Sequence, residues 1–279
     1  MITLDNKQFI TIKEKLYKYC GIYLDESKLQ MVQNRICYLM DEMHIQDMDK
    51  LLYSIDNNTK TKQHFINAFT TNKTNFFREV FHFEDMINRS LPALFKLDKP
   101  IKIYCAASST GQEPYSIAMS VLYMKKLCNS HIPVSIIATD IDTDALTEAK
   151  GGVYKIDFRY EKFPHWCNID EYFEEIGGNQ THSSIHQLKI KDEVKSMVTF
   201  KQLNLFDKHY PFRREEFDII FCRNVLIYFK PEDQQQILSK LIDTLKINGT
   251  FYLGHSEILY DMAAKFDKLG NKTYIKLKV

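Results

Sequence analysis

The sequence predicts an α/β fold with a doubly wound sheet, a small all-α unit before it and a small antiparallel β insertion within it. Three observations lead there. Apolar runs of strand length lie at 101–107, 134–140 and 217–224, and a turn and helical pattern follow each of them. Residues from about 5 to 70 show helical spacing alone. Residues from about 157 to 196 break the rhythm with polar, turn-rich and alternating pieces.

Taken in order, Phe9, Ile12, Leu16 and Tyr19 follow helical spacing, as do Met31, Ile36, Leu39 and Met43. Gly21 ends the first helix, Asp25 can cap the second, a third begins near Asp47, and a fourth spans 59–70. Lys28 and Arg35 put positive charge on the second helix and read as a solvated face. The next segment, 70–79, passes from uncharged polar residues to two aromatics and a charged pair. Phe76 and Phe77 read as core anchors and Arg78 and Glu79 as surface charge, ahead of a helix over 79–94.

The strand at 101–107 runs into Ser108-Ser109-Thr110-Gly111-Gln112, small and polar residues that let a ligand approach the backbone. A helix starts there, with Pro114 fitting its first position and Glu113 beside its positive end. Strand, turn and helix N-terminus make a nucleotide-type site. The turn carries neither GxGxxG nor a Gly-Lys-Ser/Thr ending, which argues against hydride transfer and nucleoside triphosphate cleavage. An acidic residue beside the turn suits a ligand with hydroxyls, an amine or a positive centre, such as S-adenosylmethionine. The strand at 134–140 ends in Asp140, where ribose hydroxyls would sit, and Asp142 caps a helix that runs through Lys150 and stops at Gly151-Gly152.

The insertion contains Gly177-Gly178-Asn179 and the alternating piece His186-Gln187-Leu188-Lys189-Ile190-Lys191, which could offer a sheet edge to an extended peptide. It is expected to be separable from cofactor binding. The α/β pattern resumes at 197–203 and 217–224. Pro231 opens a helix that ends near Asn248-Gly249, and strands at 250–254 and 273–279 finish the sheet.

Composition narrows the function classes. With 279 residues, 44% of them apolar, the chain can fill a main domain and a smaller companion. Lys and Arg number 37 against 36 Asp and Glu, so no global field draws it to nucleic acid or an anionic membrane. The 6 cysteines are dispersed without CxxC spacing, which suits a reducing cytoplasm. The N-terminus lacks a signal-peptide core, and no apolar run approaches the roughly 20 residues of a bilayer span, so a soluble protein is expected. His182 and His186 would share a helical face, but no ligand cluster completes a metal site, and no metal is expected.

In a doubly wound sheet the loops at 111–113, 140, 204–205 and 223–224 should meet outside the carboxyl ends of the strands. Three blocks stand out: Asn72-Lys73-Thr74-Asn75-Phe76-Phe77-Arg78-Glu79, Cys105-Ala106-Ala107-Ser108-Ser109-Thr110-Gly111-Gln112-Glu113-Pro114-Tyr115-Ser116, and Phe221-Cys222-Arg223-Asn224-Val225-Leu226-Ile227-Tyr228-Phe229. With them the chain resembles the chemotaxis receptor glutamate O-methyltransferases, the CheR family. Ala138-Thr139-Asp140-Ile141-Asp142-Thr143 and Gly254-His255-Ser256-Glu257 extend the resemblance over almost the whole chain.

The resemblance implies a Rossmann-like S-adenosylmethionine-dependent methyltransferase domain at 72–279, with the β insertion at about 170–196, behind a helical N-terminal domain at 1–71. It implies cofactor contacts at Asn72, Thr74, Arg78, Glu113, Asp140, Asn204, Leu205, Arg223 and Asn224, with Arg78 and Tyr228 at the reaction centre. S-adenosylhomocysteine would be the product. Arg78 is open to two roles, one on the substrate carboxylate and one on the cofactor's own carboxylate. The implied partners are the cytoplasmic methylation helices of chemoreceptors and, through the β insertion in some relatives, a receptor C-terminal peptide. Two departures from the family pattern stand out. Cys37, Tyr38 and Asp41 occupy the second helix, where members often carry extra basic residues, and Gln112 replaces a common Glu. The alternative reading is a cofactor-binding, non-catalytic signalling module. It would have lost reaction-centre residues, whereas Arg78, Glu113 and Tyr228 are all present. Methylation of a small carboxylic acid would leave the helical unit without a purpose.

Overall fold

In the computed structural model, residues 4–176 and 184–278 are described. The chain opens with four helices, α1 (Asn6–Cys20), α2 (Leu29–Glu42), α3 (Met48–Asn57) and α4 (Thr59–Phe69). Asp5 starts α1 through a reciprocal capping box with Gln8. Asp25 caps a short 3₁₀ turn that leads into α2, and Asp47 and Asn58 cap α3 and α4. The apolar stripes meet in one cluster that includes Phe9, Ile12, Leu16, Ile36, Leu51 and Phe65. Gly21 closes α1 in the left-handed region at φ 73°. A Cβ there would also lie 2.5 Å from the Phe206 ring and 2.9 Å from Phe229, so the same glycine lets the end of α1 press against the second unit.

Seven strands form the main sheet: β1 (Ile101–Ala106), β2 (Val134–Asp140), β6 (Val198–Gln202), β7 (Phe217–Cys222), β8 (Leu245–Leu253), β9 (Phe266–Gly270) and β10 (Thr273–Lys276). Their order is β6-β2-β1-β7-β8-β10-β9. The first five of that order run parallel, and β10 and β9 add an antiparallel edge. Chain order reverses about β1, which places the crevice of a doubly wound sheet at its carboxyl end. The helices α7 (Gln112–Leu127), α8 (Thr143–Gly151) and α11 (Pro231–Thr244) follow β1, β2 and β7. Before β1 the chain winds through α5 (Phe81–Asp85), a π turn (Met86–Ser90) and α6 (Leu91–Phe95).

A second sheet, ordered β3-β5-β4, joins β3 (Val153–Asp157), β4 (Phe173–Glu175) and β5 (Ile185–Ile190), with the short helix α9 (Ile169–Tyr172) between β3 and β4 and α10 (Asp192–Ser196) after β5. Tyr154, Ile156, Leu188 and Ile190 share one buried cluster with Ile103 and Cys105 of the main sheet. The insertion is therefore continuous with the core, not an appendage.

Several expectations need correction. The insertion's sheet begins at Val153, ahead of both 157 and 170. His186 lies in the middle strand, which pairs with β3 along 185–189 and with β4 along 188–190, so among the described residues most of the 186–191 piece is covered on both sides; the outer strands are β3 and β4. Gly177-Gly178-Asn179 and His182 fall outside the described residues. His186 is on a strand, with Nδ1 2.7 Å from Glu175. The helix expected over 79–94 begins at Phe81, because Phe77 (φ 51°) and Glu79 (φ 55°) occupy the left-handed region. α7 starts at Gln112, which makes Pro114 its third residue, still in the first turn where an N–H has no helical partner. α11 ends at Thr244, because Leu245 is drawn into the core beside Phe217. Asn248-Gly249 falls in an irregular stretch of β8 between Leu245 and Thr250. β9 had no sequence signal: three of its five residues are exposed, as befits an edge strand.

Candidate functional site

The carboxyl end of the parallel sheet opens into a cavity with about 910 Å³ of empty space, mouth included. Asn72, Thr74, Arg78, Glu113, Asp140, Asn204, Leu205, Arg223, Asn224 and Tyr228 all line it. Cys20, Ile22 and Phe69, from the helical unit, complete the wall.

Its floor is the turn after β1. Ala107 (φ 58°), Ser109 (φ 50°) and Gly111 (φ 100°) are all left-handed, two of them at a cost that only glycine escapes. Asp140 holds this turn: one carboxylate oxygen accepts from the Ser109 N–H (2.7 Å) and the other from the Asp142 N–H (2.9 Å). Burial pushes the Asp140 carboxyl pKa up, and the same N–H groups oppose that rise. Tyr154, from the insertion, donates to the Thr110 carbonyl at 2.7 Å and fills the space over Gly111, where a Cβ would come 2.8 Å from its hydroxyl.

The strap at 70–74 crosses the cavity. Asp142 secures it while capping α8: one oxygen accepts from the Asp144 and Ala145 N–H groups, the other from the Thr70 hydroxyl (2.5 Å) and the Asn72 amide (2.7 Å). The Ser109 hydroxyl donates to the Asn72 side-chain amide oxygen, Oδ1, at 3.2 Å. Arg35, read from sequence as part of a solvated face, is half-buried and donates to the Ala68 (3.0 Å) and Thr70 (2.9 Å) carbonyls. It braces the strap from the side of α2.

At the far wall Arg223 has no exposed side-chain surface and sits between two carboxylates, Glu113 at 2.9 Å and Glu79 at 3.2 Å. It also donates to the Arg78 carbonyl. The two carboxylates differ. Burial pushes Glu113 up, against the pull of Arg223 and the Cys105 thiol. Burial acts on Glu79 too, but Arg223, the Asn224 amide and the His255 N–H outweigh it and hold Glu79 below the ordinary carboxylate range. Arg78 is exposed at the rim, with one guanidinium nitrogen 3.1 Å from the Lys73 carbonyl. Asn204 braces the seam between the two units, donating to the Tyr19 carbonyl (2.8 Å) and accepting from the Phe206 N–H (3.0 Å).

Tyr228 rides on a 3₁₀ turn (Leu226–Tyr228) that Glu257 fixes from below. The buried Glu257 carboxylate accepts from the N–H groups of Val225 (2.9 Å), Leu226 (2.9 Å) and Gly254 (2.6 Å). A Cβ on Gly254 would lie 2.7 Å from that carboxylate, so the approach needs glycine.

Sequence reasoning missed Glu79, taken for surface charge, the strap-holding role of Asp142, and Glu257, whose motif was noted without a role. The signal for Glu79 was its place directly after Arg78 in a block that enters the site; its partner Arg223 lies 144 positions downstream and leaves no local pattern. The residues fit S-adenosylmethionine. Glu113 and Asp140 put carboxylates on the lining, of the kind that suits an ammonium group and hydroxyls, and Ile22, Phe69, Leu203 and Leu205 add apolar surface of the kind that suits a base.

Comparisons with known proteins point to one family. The family model described as the CheR methyltransferase SAM-binding domain matches residues 72–275, and that described as the CheR methyltransferase all-alpha domain matches 7–70. The chain is 35% identical over 270 residues to a chemotaxis protein methyltransferase of Vibrio parahaemolyticus, covering 95% of this chain and 94% of that one. It is 34% identical to chemotaxis protein methyltransferase 2 of Pseudomonas aeruginosa over 96% of this chain and 92% of that one. It is 32% identical to the Escherichia coli chemotaxis protein methyltransferase over 98% and 92% of the two chains.

Proposed function

The chain belongs to the CheR methyltransferase family, and from that premise we propose that it transfers a methyl group from S-adenosylmethionine to glutamate side chains of chemoreceptors, forming methyl esters. The observation that carries this reading is the convergence of Arg78, Glu113, Asp140, Arg223 and Tyr228 on one cavity. A receptor glutamate is almost wholly ionised at neutral pH, with an ordinary pKa of about 4.3, so no general base is required. The task is positioning, and alignment of reacting atoms can lower a barrier by about 7–11 kcal/mol. When bound, S-adenosylmethionine supplies an activated methyl on a sulfonium centre. Glu113 and Asp140 accept from its amine and hydroxyls, the turn after β1 sets its depth, and the strap at 70–74 excludes water from the carboxylate that approaches it. Arg78, exposed at the rim, holds one oxygen of the incoming glutamate. Tyr228 orients the other.

The residue assignments and the split at 71/72 between a helical unit and the methyltransferase domain are part of this proposal, as is a cytoplasmic setting. Among the described residues no helix is long and apolar enough to cross a membrane. A receptor C-terminal peptide would have to add to β3 or β4, the outer strands of the small sheet.

The test is methyl transfer from labelled cofactor to chemoreceptor-bearing membranes, read as base-labile ester. Tyr228→Phe is expected to lower kcat by about 10-fold or more while S-adenosylhomocysteine affinity stays within about twofold. Parent protein that leaves receptors unlabelled would overturn the proposed function, and equal turnover in the variant would remove Tyr228 from it.

A further inference from the structure

Two segments that line the cavity continue onto its rim. One contains Cys20 and Ile22, the other Tyr228 and Phe229, and the Tyr23 N–H donates to the Tyr228 carbonyl at 2.9 Å, which joins them edge to edge. The residues between and beyond the lining positions face out: Tyr23 is 52% exposed and Ile227 53% exposed. Lys230 follows directly. Its ammonium lies 3.9 Å from the centre of the Tyr17 ring and 5.3 Å from that of Tyr23, so two aromatic faces hold the charge in place. Residues 20–24 and 227–230 contain no other charged side chain. The rim beside Tyr228 is thus an apolar ledge with one held cation, bordered by Asp25, Glu232 and Asp233, the last accepting from the Tyr17 hydroxyl at 2.8 Å.

Resting on the function proposed above, we propose that this ledge of Tyr23, Ile227 and Lys230 is a docking surface for the methyl-accepting protein, seating an acidic, amphipathic helix next to its acceptor glutamate. Continuity with the site supports the placement, since Ile227 and Tyr228 are consecutive and any glutamate reaching Tyr228 brings its neighbours over Ile227. Charge supports the chemistry of the occupant. Side chains three and four residues from the acceptor on a helix lie about 5–6 Å away, so a second carboxylate one turn along meets Lys230 while apolar residues of the same face cover Ile227 and Tyr23. A surface used only for docking should change KM for the protein substrate and leave the chemical step alone.

The experiment measures methylation of a soluble cytoplasmic chemoreceptor fragment by parent, Ile227→Asp, Tyr23→Ser and Lys230→Ala proteins, with S-adenosylhomocysteine calorimetry as the check on folding and cofactor binding. The expected result is a KM for the fragment raised at least about fivefold in Ile227→Asp, with kcat and cofactor affinity within about twofold of parent. Raising the ionic strength should raise the parent's KM, and that dependence should shrink in Lys230→Ala. If all three variants match the parent in KM and in salt dependence, the ledge is not a docking surface and the proposed function still stands. Parent protein that does not methylate the fragment overturns both.

Discussion

Removing one carboxylate from beside Arg223 unbalances a cation with no access to water, and breaking a buried pair typically costs about 3–5 kcal/mol. Glu79 is the informative partner, because Arg223 and its other donors hold its pKa below the ordinary range despite burial. A carboxyl lowered in the folded state contributes stability that is present above its unfolded pKa and lost as pH falls through the folded one. Glu79→Gln is therefore expected to be less stable than parent by about 1–3 kcal/mol at pH 7, with the difference narrowing as pH falls below about 4. Urea denaturation across that range checks it. Glu113 has the opposite shift: burial raises its pKa even with Arg223 2.9 Å away.

Among the elements, α5 is tied to the far edge of the sheet by a single buried ring. His82 lies wholly inside, its Nε2 2.7 Å from the Asn271 carbonyl in the β9–β10 turn and its Nδ1 3.7 Å from Glu79. Burial, reinforced by Arg223, lowers its pKa from 6.5 to about 4. The sign is fixed by linkage: the unfolded chain takes up a proton that the folded one refuses, so stability declines as pH falls from about 6.5 toward 4. The full effect is on the order of 3 kcal/mol at 1.36 kcal/mol per pKa unit. His82→Gln removes the titrating group, and its unfolding free energy between pH 7 and pH 4.5 is expected to fall less steeply than the parent's. Parallel slopes would mean that this ring does not carry the acid lability of the α5 contact.

Across the whole molecule, the site is an assembly of three parts. The sheet supplies its floor, the helical unit (Cys20, Ile22 and Phe69) and the strap that follows it supply its roof, and the small sheet its buttress through Tyr154. The insertion was expected to be separable, and the shared core says otherwise. Replacing 174–190 with a short linker deletes Leu188 and Ile190 from the cluster that contains Ile103 and Cys105, and takes the central strand from β3 and β4. Losing buried aliphatic side chains costs about 2–5 kcal/mol each. The shortened protein is thus expected to melt well below the parent and to bind S-adenosylhomocysteine more weakly, as Tyr154 loosens from the Thr110 carbonyl. Calorimetry and thermal denaturation on the same preparation report both. Unchanged values would restore the view of a detachable module.

The sequence by itself determined the helical start, the strands β1, β2, β6 and β7, and the identity of the loops that line the cavity. Periodicity, caps such as Asp47 and Asp142, and the left-handed stop at Gly21 are local, so they are written in neighbouring residues. Tertiary structure alone decided which charges are inside. Glu79 and Arg223, or Arg35 and the Thr70 carbonyl, meet across long stretches of chain, and only folding shows that water has been removed from between them. It also decided the order of the small sheet, where β5 falls between β3 and β4 although it follows both in sequence. Strand pairing of that kind depends on how the whole core closes, and a two-residue alternation is the same in a middle strand as in an edge strand.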